Sequence, residues 1–268
     1  MYIDVNGHKT YAYTGGKDFN PAQPTVVLIH GVLCDHSVWA LQSRYLANHG
    51  WNVLAIDLPG HCRSAGAPPA SVQDAAQFIQ ALLDAQGVQQ AALVGHSFGS
   101  LIALQTAANM GERISHLAMV GTAYPMKVSQ PLLDASLNEP EKALHMTNVF
   151  SRATLAPPSG AGSWVFGASL ALGRRVLASN TTVNVFHTGF NACNNYDQGL
   201  QAMAAVTCPV LMVLGESDQM TTPKNAQPLI AQAKESGKQL QVVTIPHGHH
   251  QMSESPDETL DALKRFLR

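Results

Sequence analysis

The chain has 268 residues, of which 46% are hydrophobic and 13% charged, against roughly 25% charged in an average soluble protein. That length and apolar content exclude disorder and a miniprotein dependent on staples. The 16 basic and 18 acidic side chains leave a net charge of -2, which offers no electrostatic footprint for nucleic acid or an anionic membrane.

The chain opens with Asp4 where a secretory leader carries basic residues, and no apolar run approaches the ~18 residues of a membrane span. A cytoplasmic protein with no membrane span is expected. Cys34, Cys62, Cys193 and Cys208 are widely spaced and read as reduced thiols. Tyr2 to Val5 and Lys9 to Tyr13 flank Asn6-Gly7, the signal of a tight hairpin. Val26 to Ile29 is then the first of several continuous apolar runs, followed by Val53 to Ile56, Ala91 to Val94, Leu117 to Val120, Val210 to Leu214 and, more weakly, Leu240 to Thr244. Continuous rather than alternating apolarity marks strands covered on both faces, as in a parallel sheet. Helical stretches such as Val72 to Ala85 and Leu101 to Met110 separate them, which indicates an α/β fold with a mostly parallel central sheet flanked by helices. The alternation breaks after Met126. Helical pieces at Glu139 to Phe150 and Ala168 to Ala178 surround a Pro/Gly-rich stretch from Ala156 to Gly162. The expected organisation is a core of residues 1–126 and 196–268 with an inserted helical cap at 127–195.

Gly95-His96-Ser97-Phe98-Gly99 sits directly between an apolar strand and a helical run. Strand, sharp turn and helix are the context in which G-x-S-x-G acts as a nucleophile elbow. A serine at the tip of so tight a turn takes strained backbone angles, and a side chain at either glycine collides with the neighbouring strand or helix. The turn also puts the next N–H at the positive end of a helix. A serine hydroxyl needs a base oriented by an acid, and with an elbow the chain order is Ser, then Asp or Glu, then His. Asp218 stands just beyond the strand ending at Leu214, with Glu216 its rival closer to the strand. The position after the preceding strand reads Gly121-Thr122-Ala123, without a carboxylate. Three histidines follow the last strand: His247, His249 and His250. Their spacing fits no helical metal-ligand pair, so no metal and no cofactor are expected.

With these residues the chain resembles the α/β-hydrolase fold family, as a capped serine hydrolase of esterase type. The family's base commonly stands in G-H-x-x-x-x-E-x-P, and Gly248-His249-His250-Gln251-Met252-Ser253-Glu254-Ser255-Pro256 matches with His249 as base. His30-Gly31-Val32 resembles the family's H-G-x motif, which implies an oxyanion hole of the Val32 and Phe98 backbone N–H groups. Asp57 to Ser64 resembles D-x-P-G-H-G-x-S with Cys62 in place of a glycine. His30 reads as a loop brace, and Cys62 as a packed or surface thiol.

The resemblance implies hydrolysis of a carboxylic ester through an acyl-enzyme, with Ser97, His249 and Asp218 as nucleophile, base and acid. The partner expected is a small ester or lactone. A lactonase, a carbon-carbon bond hydrolase or a perhydrolase shares the same triad, and some capped relatives are ligand-sensing signalling proteins instead. Serine at position 97 excludes the relatives with an aspartate nucleophile. Substrate choice falls to the cap, whose Trp164, Phe166 and Phe190 are candidate pocket residues alongside Phe150, Leu170, Leu172 and Phe186. Oligomeric state does not follow from the sequence.

Overall fold

The structure of the protein is a computed structural model that describes residues 1–153 and 165–268. The hairpin strands β1 (Tyr2–Val5) and β2 (His8–Tyr13) pair antiparallel around Asn6-Gly7, whose φ angles are 53° and 81°. Two positive φ angles in succession give the turn type whose twist matches that of the strands. Six more strands follow: β3 (Thr25–Ile29), β4 (Asn52–Ile56), β5 (Ala91–His96), β6 (Ile114–Val120), β7 (Val210–Gly215) and β8 (Leu240–Ile245). The sheet order is β1-β2-β4-β3-β5-β6-β7-β8. β2 runs antiparallel to β4, and every later neighbouring pair is parallel.

Every residue of β3, β4, β5 and β7 is buried, because helices lie on both faces of the sheet. Strand side chains alternate between those faces. Val26, Leu28, Val53, Ala55, Ala92 and Val94 pack with α1 (Ala40–Asn48) and α11 (Pro256–Phe266). Val27, Ile29, Leu54, Ile56 and Leu93 pack with α2 (Val72–Ala85), α3 (Phe98–Met110), α8 (Gly199–Ala205) and α9 (Gln227–Glu235). The Ser71 hydroxyl caps α2 by accepting the Asp74 N–H at 3.0 Å. α3 is buried continuously from Phe98 to Ala107, as expected of a helix apolar on all sides. It starts at Phe98, immediately after the elbow serine, rather than at Leu101.

Between β6 and β7 the described residues form α4 (Gln130–Asn138), α5 (Pro140–Ser151), α6 (Val165–Ala178) and α7 (Val185–Asn195). Leu132, Leu133, Leu144, Leu170, Val176, Phe186 and Phe190 give these helices a hydrophobic cluster of their own, closed underneath by Leu33. The sequence reading began the first of these helices at Glu139 and missed α4. Pro131 and Pro140 each occupy a first turn, where the missing N–H costs nothing. The residue before a proline is pushed out of helical geometry. Glu139, at φ -138°, is therefore a break between two helices.

Candidate active site

Ser97 stands between β5 and α3 with φ 53° and ψ -118°, a region that side chains other than glycine rarely occupy. The flanking glycines make this possible. A Cβ on Gly95 would lie 2.0 Å from the Gly99 carbonyl oxygen, and one on Gly99 would lie 2.3 Å from the Ile29 oxygen. The elbow is thus pressed against its own helix on one side and against β3 on the other. As the first residue of α3, Phe98 has an N–H with no intrahelical carbonyl to meet. Among the described residues, neither this N–H nor that of Val32 has a partner within the chain.

Asp218 lies three residues past β7 and is 3% exposed. Its Oδ1 accepts the N–H groups of Met220 and Thr221, each at 2.8 Å, and its Oδ2 accepts the Thr221 hydroxyl at 2.7 Å. His249 Nδ1 donates to the same Oδ2 at 2.8 Å. Burial pushes the Asp218 carboxyl up, but the His249 charge and the hydrogen bonds from His249 and Thr221 outweigh it and hold the group below the usual carboxylate range. With Nδ1 committed to Asp218, Nε2 is the ring atom left for other chemistry, and it has no partner among the described residues. Glu216 is exposed and takes no part.

The loop carrying His249 is held at both ends. Glu254, in α10 (Gln251–Glu254), accepts the N–H groups of Gly248 at 3.3 Å and His250 at 3.2 Å, and that of Ala153 at 3.0 Å. Its other contact is a buried ion pair with Arg152 at 3.4 Å. A Cβ on Gly248 would lie 2.8 Å from the Ala153 nitrogen and the Ser151 oxygen. Pro256 then opens α11. The glycine, glutamate and proline of G-H-x-x-x-x-E-x-P therefore have backbone tasks, and the histidine has its side-chain bond to Asp218.

His30 is fully buried. Its Nε2 accepts the Leu58 N–H at 3.1 Å, so the proton sits on Nδ1, which donates to the Gly31 carbonyl at 2.8 Å. That is a brace between two loops. Asp57 accepts from His36 and the Arg63 N–H, and Ser64 closes the loop by donating to the Asp57 carbonyl at 2.6 Å. Cys62 takes φ 46°, which explains a glycine as the usual occupant. Burial and then the nearby Asp35 push its thiol up to about 12, so it carries no thiolate.

Ser97 and His249 line one cavity of about 330 Å³ with Val32, Met126, Leu132, Met146, Phe150, Phe190 and Met220. Of the anticipated pocket residues, Phe190 and Phe150 are on this wall. Phe166 is not: α6 turns toward α5, and the ring packs on the helical cluster 6.3 Å from that of His145. Leu170 and Phe186 are core of the same cluster, and Leu172 lies against it. Trp164 lies outside the described residues. Sequence reasoning missed Thr221, although Asp-x-x-Thr is the spacing of a side chain closing its own turn. It also missed the methionines, which carry no periodic signal. Among the described residues, ligand atoms of Asp35, His36 and Asp57 lie within 4.8 Å of one another. Their carboxylates are occupied by Ser37, Arg175, His36 and Arg63, and the cluster shares no residue with the Ser97 cavity.

A family model described as "Alpha/beta hydrolase family" matches residues 26–262. Among curated proteins, the dihydrolipoyllysine-residue acetyltransferase component of the acetoin cleaving system of Cupriavidus necator is 34% identical over 125 residues, 45% of this chain and 31% of that protein. The chain thus spans about a third of the length of that relative. The pimeloyl-[acyl-carrier protein] methyl ester esterase of Neisseria meningitidis is 27% identical, covering 82% of this chain and 70% of its own. Among solved structures, the enol-lactonase from Burkholderia xenovorans LB400 superposes with a TM-score of 0.81 at 20% identity, over 100% of this chain and 99% of its own.

Proposed function

The chain belongs to the alpha/beta hydrolase family, and from that premise we propose that it is a serine hydrolase of carboxylic esters with short to medium acyl groups. The observation that carries this reading is the 2.8 Å bond from His249 Nδ1 to the buried Asp218, which leaves Nε2 available in the cavity that also holds Ser97. His249 takes the Ser97 proton as Oγ attacks the ester carbonyl. The Val32 and Phe98 N–H groups stabilise the oxyanion without reorganising. Collapse expels the alcohol, which receives the proton back from His249, and a water activated by the same base releases the acid. Asp218 stays ionised throughout and keeps the imidazole in the tautomer with Nδ1 protonated.

The cavity supports the substrate class. Its volume of about 330 Å³ and a wall rich in Val, Leu, Met and Phe suit a compact apolar acyl group. Helices α4, α5 and α7 supply much of that wall, so we assign residues 127–195 as a cap that selects the substrate. Ser97→Ala is expected to lower kcat on p-nitrophenyl butyrate by at least about 10⁴-fold while leaving circular dichroism unchanged. A Ser97→Ala protein with wild-type turnover overturns the assignment. Lactones and linear alkyl esters compared by pH-stat titration of the acid released separate an esterase from a lactonase with the same triad.

A further inference from the structure

The acyl-transfer steps use Ser97 and His249 but leave His96 without a task. This residue ends β5 directly before Ser97 and is 1% exposed. Its Nε2 lies 2.8 Å from the main-chain oxygen of His249, 153 positions along the chain. A carbonyl oxygen only accepts, so Nε2 carries the proton and Nδ1 is bare. That Nδ1 is buried and without a partner. It faces the oxyanion loop, where a Cβ on Gly31 would lie 3.0 Å from it and 3.1 Å from Ser97 Cβ. Burial pushes His96 down to about 3, so the ring remains a neutral donor over the working range. On the other side of the same residue, the His249 N–H donates to the Ser151 carbonyl at 2.8 Å.

A buried imidazole with one unsatisfied nitrogen is a costly way to fill a core position. The bond it makes explains its presence. We propose that His96 is a positioning residue: its Nε2–H fixes the backbone carbonyl of His249 and thereby sets the imidazole relative to Ser97. Because donor and nucleophile are consecutive, the elbow that places Ser97 also places the base. This rests on the reading of Ser97 and His249 as nucleophile and base.

Three variants test it. The amide nitrogen of glutamine is four bonds from Cα, as Nε2 is, whereas that of asparagine is three bonds away, like Nδ1. His96→Gln is expected to keep kcat within about threefold, and His96→Asn and His96→Leu to lose at least about tenfold in kcat with KM nearly unchanged. Thermal midpoints identify any variant whose loss is simple unfolding, and the Gln/Asn pair decides the matter if the leucine variant does not fold. The far-downfield NMR resonance of His249 Nδ1–H reads the Asp218 bond without substrate. It is expected to persist in the wild type and His96→Gln and to broaden in the other two. Asn and Leu variants with wild-type kcat and resonance overturn the proposal, as does a folded Gln variant as impaired as the leucine one. A wild-type protein inert toward every ester removes the functional reading instead, and the resonance comparison still decides the role of His96.

Discussion

Asp218 receives four hydrogen bonds within its own turn and from His249, and Thr221 supplies two of them. The Thr221 hydroxyl also lies 3.1 Å from His249 Nδ1, so it touches both members of the pair. Hydrogen bonds to charged groups contribute about 1.5–3 kcal/mol. Thr221→Val is therefore expected to lower kcat roughly tenfold or more, with KM little changed, whereas Thr221→Ser retains the donor and the rate. Steady-state kinetics on one ester distinguishes the two. Why Ser97 was legible in the sequence is also a matter of single residues. Gly95 is required by a contact of 2.0 Å within its own turn and Gly99 by one of 2.3 Å to the backbone of β3, and contacts that close admit no other residue type. Thr221 was less legible because many residues can follow an acid in a turn.

Among the elements, α5 has two duties. Its C-terminal end receives the His249 N–H through Ser151, and its side chains Met146 and Phe150 line the cavity. Phe150 is 46% exposed while on the cavity wall, so removing its ring costs little packing within the helical cluster. Phe150→Ala is expected to raise KM for hexanoate and octanoate esters about tenfold, corresponding to ~1.4 kcal/mol of lost contact, and to leave acetate esters unchanged. A chain-length series of p-nitrophenyl esters measures this directly, and equal effects on all chain lengths contradict the assignment of α5 to the acyl wall. The break at Glu139 belongs to this scale as well. Pro140 makes α4 and α5 separate helices, and each contributes to the cavity wall, α4 through Leu132 and α5 through Met146.

At the scale of the whole molecule, buried neutral histidines set the acid limit of stability. Burial lowers His30, His61, His96 and His250; His61 is brought to about 4 and His96 to about 3. Each group gains a proton near pH 6.5 when unfolded but resists it when folded. The unfolded chain thus binds more protons as pH falls below about 6.5, and stability declines until pH passes below the folded values. For His61 and His96 together this amounts to more than about 5 kcal/mol, comparable to the whole stability of many domains. Asp35 acts in the same direction lower down. Burial raises it, but hydrogen bonds from Ser37 and the Arg175 charge prevail and hold it at about 2, so its contribution is present above about pH 4 and lost toward pH 2. Urea midpoints measured from pH 8 to pH 4 are expected to fall steeply below pH 6. A flat profile over that range contradicts the buried-neutral state of these histidines.

The amino-acid sequence alone determined the sheet and the order of the motifs on it. Strands buried on both faces must be written as unbroken apolar runs, and the hairpin turn, the elbow glycines and the G-H-x-x-x-x-E-x-P spacing each answer to a backbone need that few residue types meet, whether the neighbour is near in the chain, as Gly99 is to Gly95, or distant, as Ile29 is to Gly99 and Ala153 to Gly248. Tertiary structure decided what no local need dictates. Val32 follows β3, Met146 and Phe150 belong to α5, Phe190 to α7, and Met220 follows β7, yet they share one wall. Phe166 has the same chemistry as Phe190 but turns away from it, because a helix needs an apolar face whether that face meets a core or a cavity. The contact between His96 and the His249 carbonyl is of the same kind: it joins two distant backbone segments and leaves no spacing in the chain by which it could have been read.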